Sequence, residues 1–416
     1  MNSNALREVH APFDFTAVRR QFPILSREIR GKPLAYLDNG ASAQRPLAVI
    51  EAVDAYERRH HANIHRGVHT LSQEATGLFE RARDRLAAFI GARSRNEIIF
   101  VRGTTEGINL VAQSWARPLL HPGDEVLITH LEHHANIVPW QMVCEQTGAT
   151  LVVAPMDEHG EVHAEAVEAL MTPRTRLFAC AHVSNALGTV LPVRRLMASA
   201  RERGIVTLLD GAQAVPHLSV DVQSLGCDFY AFSGHKMFGP TGIGVLYGRE
   251  ALLERMPPWQ GGGDMILTVS FEKTTYNALP HKFEAGTPNI SGAVGLGAAV
   301  DFFASLDLPA AHAHEEALLA HAHRVLGDIP QLRVIGTAAH KVSLVSFIVT
   351  GVHPHDLGTI LDADGIAIRT GHHCAMPVME YFRVPATARA SFAFYNTFEE
   401  IDRLAASVRH ARQLFV

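Results

Sequence analysis

Asp210 and Lys236 are the residues whose types and spacing carry the most chemistry in this chain. The apolar run Val206-Thr207-Leu208-Leu209 ends in Asp210-Gly211-Ala212-Gln213. A second run, Asp228-Phe229-Tyr230-Ala231-Phe232, ends in Ser233-Gly234-His235-Lys236. Short apolar runs closed by polar residues read as buried strands whose C-terminal ends hold the reactive groups. An acid at one strand end and a lysine at its neighbour are the pair that pyridoxal phosphate (PLP) chemistry requires. The lysine forms a Schiff base, and the carboxylate keeps the pyridinium nitrogen protonated so that the ring can draw electrons. Taken alone, the two residues read equally well as a loop lysine and a helix-capping acid.

The elements that must position them alternate between strand and helix. Strands are expected at residues 97–101, 125–129, 150–154, 176–182, 206–210, 228–233 and 244–247, with helices between most of them, among them 107–115 and 194–203. That alternation predicts an α/β fold with a seven-stranded, mainly parallel sheet in a large unit over residues 31–299. Residues 1–30 and 300–416 are expected to form a smaller α/β unit, with strands at 341–350, 366–369 and 389–395 and a helix at 355–364. A last helix opens at Thr397 with Glu400 three residues on, the spacing of a capping box. The helix-like stretch 292–306 spans the boundary between the two units.

Hydrophobic residues make up 47% of the 416 positions and charged ones 19%, a globular composition. A formal net charge of −5 gives no reason to expect nucleic acid or an anionic membrane as partner. Residues 1–8 lack the basic-then-apolar layout of a secretory leader, and no apolar run nears the roughly 18 residues of a spanning helix. A cytoplasmic protein is expected. Cys144, Cys180, Cys227 and Cys374 contain no C-x-x-C pair, and reduced thiols, not a disulfide framework, are expected in that setting. The first three lie in apolar or helix-like contexts and read as small buried hydrophobes. Cys374 stands apart, among polar, glycine and cationic neighbours.

Ligands of an open parallel sheet bind outside the carboxyl ends of its strands, so the residues just past each strand test the PLP idea. Arg102-Gly103-Thr104-Thr105-Glu106-Gly107 is a turn entering a helix, whose exposed N–H groups suit a phosphate. His130-Leu131-Glu132-His133-His134-Ala135-Asn136 offers a flat ring to lie against a pyridine. Val183-Ser184-Asn185 comes after the fourth strand, Asp210 and Gln213 after the fifth, and Ser233, His235 and Lys236 after the sixth. Each turn alone is a weak signal; their joint placement at strand ends is strong.

In this order the segments resemble the fold-type I PLP enzymes of the class V aminotransferase group. Together with Ala62-Asn63-Ile64-His65-Arg66-Gly67-Val68-His69-Thr70-Leu71-Ser72 and Arg369-Thr370-Gly371-His372-His373-Cys374-Ala375-Met376-Pro377, they are similar to the group II (SUF-type) cysteine desulfurases. The likeness runs from Tyr36-Leu37-Asp38-Asn39 to Arg389-Ala390-Ser391-Phe392, with no departure at a catalytic position.

The resemblance implies that Lys236 holds PLP and shuttles the substrate Cα proton, that Asp210 pairs with the pyridinium nitrogen, and that Gln213 contacts the phenolic oxygen. His133 would stack on the ring and assist proton transfer; Thr105, Ser233 and His235 would hold the phosphate. Thr287 is similar to a threonine that reaches the phosphate of a neighbouring subunit, which implies a homodimer. Arg389 is the expected clamp for a substrate carboxylate, since a guanidinium fork matches it bidentately. Asn185 would assist, and Arg369 and His65 would line the same pocket. The Cys374 thiolate would attack the sulfur of L-cysteine, keep it as a persulfide and leave L-alanine. A free thiol with a pKa near ~8.5 is only partly ionised at neutral pH, and charges on Arg369, His372 and His373 would lower it if they face the sulfur. Transfer to a SufE-like or SufU-like acceptor thiol, and on to iron–sulfur assembly, would come next. The glycine-rich segment Pro257-Pro258-Trp259-Gln260-Gly261-Gly262-Gly263-Asp264-Met265, with one exposed-looking aromatic, resembles a hairpin near the neighbouring active site; its plainer reading is a flexible loop.

Other chemistries can be sought in the same residues. The chain holds 25 histidines; His65 and His69 are spaced i,i+4, and His372-His373-Cys374 offers zinc donors. No H-E-x-x-H occurs, and Gly67 weakens a helix between His65 and His69. A dinucleotide-binding dehydrogenase fails because no G-x-G-x-x-G comes after the first strand. A selenocysteine lyase or another class V member shares the PLP residues and is the nearest alternative. A scaffold without catalysis is disfavoured by the full set of PLP-contacting residue types.

Overall fold

The computed structural model describes residues 14–415. Residues 1–13, which hold the N-terminus expected to lack a leader and part of the expected small-unit segment 1–30, lie outside the described residues.

The apolar runs form β1 (Ile98–Val101), β2 (Glu125–Thr129), β3 (Thr150–Ala154), β4 (Thr175–Ala181), β5 (Val206–Asp210), β6 (Phe229–Ser233) and β7 (Gly244–Gly248). They make one seven-stranded sheet in the order β1-β7-β6-β5-β4-β2-β3. All seven expected strands are present, with bounds displaced by one residue at most. Every residue of β1, β2, β5 after Val206, β6 and β7 is buried. Burial on both faces is why these strands read as continuous apolar runs without alternation. Pairing is parallel except at β7, which runs antiparallel to both β1 and β6.

The helices used below are α1 (Leu47–Arg59), α2 (Thr70–Phe89), α3 (Thr104–Val111), α4 (Val138–Thr147), α5 (Val193–Glu202), α6 (Ile290–Ala304), α7 (Leu308–Gly327), α8 (Pro354–Ala363), α9 (Met376–Tyr381) and α10 (Phe398–Phe415). α5 buries Val193, Leu196, Met197 and Ala200, the i, i+3, i+4, i+7 stripe of a helix lying on a sheet. α6 is apolar nearly all round because it is enclosed, packing against α1 and α2. No single helix among the described residues is long and apolar enough to cross a membrane. α3 starts three residues before the expected 107 and passes into a π-helical turn at Ala112–Ala116.

A hairpin, β8 (Ile266–Val269) and β9 (Thr274–Tyr276), projects beyond the glycine-rich segment. Downstream, β10 (Leu332–Ile335), β11 (Leu344–Val349), β12 (Arg369–Gly371) and β13 (Thr387–Ser391) form an antiparallel sheet in the order β10-β11-β13-β12. The expected strand 389–395 ends at Ser391, because the chain turns inward there and Phe392 N–H bonds to Ser343 O at 2.8 Å. The expected strand 366–369 is split. Ile366–Ala367 pairs in parallel with Ala35–Tyr36, while Arg369 begins β12. β11 packs Val345 and Phe347 against Leu318 and Leu326 of α7, Leu361 of α8 and Leu404 of α10. Ala35 and Leu37, inside the segment expected for the large unit, belong to this second core. α10 opens as a capping box: Thr397 N–H donates to Glu400 Oε2 at 3.1 Å, and Glu400 N–H donates to Thr397 Oγ1 at 3.2 Å.

Candidate active site

The carboxyl ends of β1, β2, β4, β5 and β6 open on one cleft of about 200 Å³, walled on its other side by Arg369 of β12, Arg389 of β13 and the loop that leads to α9. Among the expected site residues, Thr105, His133, Asn185, Asp210, Gln213, Ser233, His235, Lys236, Arg369, Cys374 and Arg389 line it. His65 and Thr287 do not. The reversed strand β7 helps to close the floor, since its first residue, Gly244, lies opposite both Ser233 and Val101. A Cβ at 244 would sit 2.5 Å from Phe232 O and 2.7 Å from Gly103 Cα, so only glycine lets these strand ends approach.

One end of the cleft is built for an anion. α3 starts at Gly103, which supplies no side-chain cap, and its first residues face the cleft. Ser233 Oγ accepts from Thr104 N–H at 2.9 Å and lies 2.8 Å from Thr104 Oγ1, joining the ends of β1 and β6. Thr104 was not singled out in the sequence; Thr104-Thr105 is a pair, and only the fold shows that both line the cleft.

The turn after β2 carries His133 and is pinned by the buried Glu132. Its carboxyl accepts from Thr129 Oγ1 at 2.5 Å, Asn136 Nδ2 at 2.6 Å and Ala181 N–H at 3.1 Å, tying this turn to the end of β4. Burial pushes the Glu132 pKa up to about 7. His133 Nδ1 accepts from Ala135 N–H at 3.0 Å, so the neutral ring carries its proton on Nε2. Burial, then the charge on Lys236, drives the His133 pKa down to about 3, which leaves the ring neutral at ordinary pH.

Asp210, at the end of β5, accepts from Ala212 N–H at 2.9 Å, and burial raises its pKa against the pull of Lys236. Burial lowers Lys236 to about 8, with Asp210 acting in the opposite sense. The neutral amine is the form that condenses with an aldehyde. Loading of apoprotein with PLP should therefore accelerate about tenfold from pH 7 to 9 and level off above pH 8. A lysine at its ordinary pKa would keep accelerating through pH 10, and stopped-flow absorbance over that range separates the two. Gln213 Nε2 donates to Gly40 O at 2.6 Å, which fastens the residue to the N-terminal segment and uses one of its two amide hydrogens.

Arg389 is 2% exposed. Its Nη1 donates to Asn185 O at 2.7 Å, its Nη2 lies 3.4 Å from Asp38 Oδ1, and its Nε has no partner among the described residues. Burial lowers its pKa to about 10, opposed by Asp38. Arg369 sits directly across the β12–β13 pair from Arg389, so two guanidinium groups border one side of the cleft. A buried N–H with no partner beside a second cation is a ready carboxylate site. Asn185, expected to assist there, instead donates its side-chain amide to the His373 carbonyl.

Cys374 is exposed, whereas Cys144, Cys180 and Cys227 are buried. His373 and Cys374 both adopt left-handed backbone, with φ of 53° and 55°. His373 Nε2 lies 2.8 Å from Thr387 Oγ1, and burial pushes its pKa to about 3. It therefore brings no positive charge to the thiol, which corrects the expectation drawn from its position beside Cys374.

His65 does not line the cleft of its own chain. Its Nε2 is 3.0 Å from Glu80 Oε1, and its ring is 4.7 Å from that of His281. These three could hold a metal by distance, but Glu80 is also bonded to the buried Arg83. His69 caps α2, its Nδ1 accepting from Ser72 N–H at 3.2 Å. Thr287 lines a separate cleft with Phe100, Glu106, Trp259 and Glu284. Trp259, taken from sequence as exposed, is half-buried against the core under β1; the β8–β9 hairpin beyond it exposes Phe271, in its turn, and Tyr276.

The donor set fits PLP: an uncapped helix start with Ser233, a neutral flat imidazole, a buried carboxylate, and an amine at one edge. Comparison with known proteins agrees. The Aminotransferase class-V family matches residues 35–404. The cysteine desulfurase of Cronobacter sakazakii is 52% identical over 403 residues, covering 97% of this chain and 99% of the relative. The crystal structure of the cysteine desulfurase CsdA (S-sulfonic acid) from Escherichia coli superposes with a TM-score of 0.90 at 42% identity, covering 98% of this chain and all of that one. A C-DES mutant with glycine covalently linked to its PLP cofactor superposes with a TM-score of 0.81 at 25% identity, covering 94% and 98%. The fold is that of PLP-dependent α/β enzymes, and the chain belongs to the aminotransferase class-V family.

Proposed function

We propose that the protein is a PLP-dependent cysteine desulfurase that moves the sulfur of L-cysteine onto Cys374 and releases L-alanine. The observation that carries this reading is an exposed thiol in the wall of the cleft that also holds Lys236 and Asp210. PLP, when bound, supplies the electron sink that labilises the substrate's Cα–H bond and then its carbon–sulfur bond. Asp210, Lys236 and His133 would hold the cofactor in this cleft: the Asp210 carboxylate would keep its ring nitrogen protonated, the Lys236 amine would take and return the substrate Cα proton, and the neutral His133 imidazole would supply a flat apolar surface. Arg389, with Nε still free to donate, clamps the substrate carboxylate beside Arg369. Atoms balance without an oxidant: cysteine loses sulfur and becomes alanine, and the Cys374 thiol becomes a persulfide.

The exposed position of Cys374 lets an outside thiol collect that sulfur. The reading extends to a SUF-type enzyme that serves a SufE-like or SufU-like acceptor for iron–sulfur assembly, in the cytoplasm, where thiols stay reduced. A homodimer accounts for Thr287, which lies outside its own cleft and is free to complete a neighbour's, and for the apolar side chains exposed on the β8–β9 hairpin, Leu267, Val269 and Phe271.

Intact mass and peptide mapping of the PLP-loaded protein after L-cysteine without reductant tests this. One added sulfur on Cys374 is expected. No added sulfur, with alanine still formed, would move the assignment to a lyase that releases sulfur or selenium directly, and parallel turnover of L-selenocysteine would identify it.

A further inference from the structure

The loop that presents Cys374 is held by the turn that presents His133. Cys374 O accepts from the backbone N–H of His134 at 2.8 Å. Two residues on, Met376 N–H donates to the His134 ring at Nε2, 3.0 Å away. One residue thus brackets the Cys374-Ala375 step from both sides. His130, at the start of the same turn, adds a third contact, its Nε2 lying 3.2 Å from Pro377 O. From the opposite wall Asn185 holds the His373 carbonyl.

These bonds act on backbone that would not keep its shape unaided. His373 and Cys374 are consecutive non-glycine residues in the left-handed region, which L side chains rarely adopt. The dihedral angles there set the direction of the Cys374 Cα–Cβ bond, and so where the sulfur points. The turn carrying His134 is itself locked by the Glu132 network and by the His133–Ala135 cap. Position therefore passes from the buried Glu132, through His134, to the thiol.

We propose that His134 is a positioning residue for the sulfur-transfer step: its unprotonated Nε2 and its backbone N–H fix the reach of Cys374 into the cleft. The proposal rests on Cys374 as the sulfur-accepting thiol. His134 touches neither substrate nor cofactor in this role, and what the loop needs from its side chain is an acceptor at Nε2.

That requirement separates two substitutions. His134→Phe keeps the ring's bulk without the acceptor, whereas His134→Gln puts a carbonyl oxygen near the Nε2 position. Both are made as PLP-loaded enzyme and compared by three readouts: hydrogen exchange of the peptide containing Met376, the rate of persulfide formation on Cys374, and the absorbance of bound PLP. His134→Phe should speed Met376 amide exchange and slow persulfide formation on the order of tenfold or more, in kcat with little change in KM, because displacing a reacting atom by about an ångström is that costly. His134→Gln should recover both to within about threefold, as an acceptor-dependent bond requires. PLP absorbance should stay unchanged in both.

The proposal is overturned if His134→Phe exchanges and reacts like the native enzyme, or if His134→Gln is impaired as badly as His134→Phe. A changed PLP absorbance with normal Met376 exchange would also overturn it, by placing the effect on the His133 turn. Hydrogen exchange needs no turnover. If Cys374→Ala still made alanine at the native rate, the desulfurase reading would fail while the exchange result stood.

Discussion

Lys236→Ala should reduce alanine formation from L-cysteine by at least about 10⁴-fold, the upper range of what a positioned acid–base group contributes, while the protein remains folded. Among the described residues Lys236 is the one lysine lining the cleft, in the tight turn just past β6, and Asp210 at the end of the adjacent β5 lines it too. Its amine, lowered to about 8 by burial, is available in the neutral form near neutral pH without losing the capacity to return a proton. Arg389 and the neutral imidazole beside it cannot substitute: burial lowers Arg389 only to about 10, and His133 titrates near 3. Single-turnover alanine formation measures the loss, and a small primary amine in the buffer should restore part of it. A variant within tenfold of the native rate would remove Lys236 from the reaction.

The second large effect is on stability. Arg83, fully buried on α2, donates Nη1 and Nη2 to the two oxygens of Glu284 at 2.6 and 2.9 Å, and Nη1 also donates to Ile98 O at 2.8 Å. Glu284 accepts in turn from Phe100 N–H at 2.7 Å. The pair therefore ties α2 and β1 to the segment that leads to Thr287. Arg83→Met leaves a buried carboxylate without its cation and should cost about 3–5 kcal/mol, whereas replacing both partners with apolar residues should cost much less. Denaturant midpoints of Arg83→Met, Glu284→Leu and the double variant measure this. A double variant as unstable as the sum of the singles would show that the two residues act independently.

The site was legible in sequence where chemistry sits at strand ends. Buried parallel strands are read from continuous apolar runs, and each run stops where the polar group begins, so Asp210 and Ser233 marked strand ends that open on the cleft, with Lys236 in the turn just beyond. The same logic located Cys374 by its polar surroundings. Less visible were elements whose stability comes from neighbours. The short edge strand β10 has a mixed burial pattern, and the hairpin β8–β9 exposes apolar side chains, so neither carries a periodic signal of its own.

Sequence by itself determined the residue types, their order along the chain at successive strand ends, and hence the family and its cofactor chemistry. Tertiary structure alone decided what each group is bonded to. Asn185 holds the backbone beside Cys374, His373 is neutral because it is buried against Thr387, and His65 faces Glu80. It also set the clamp from His134 to Met376, whose partners lie 242 residues apart. Burial and long-range hydrogen bonding set protonation and direction, and neither is a property of a residue's neighbours in sequence.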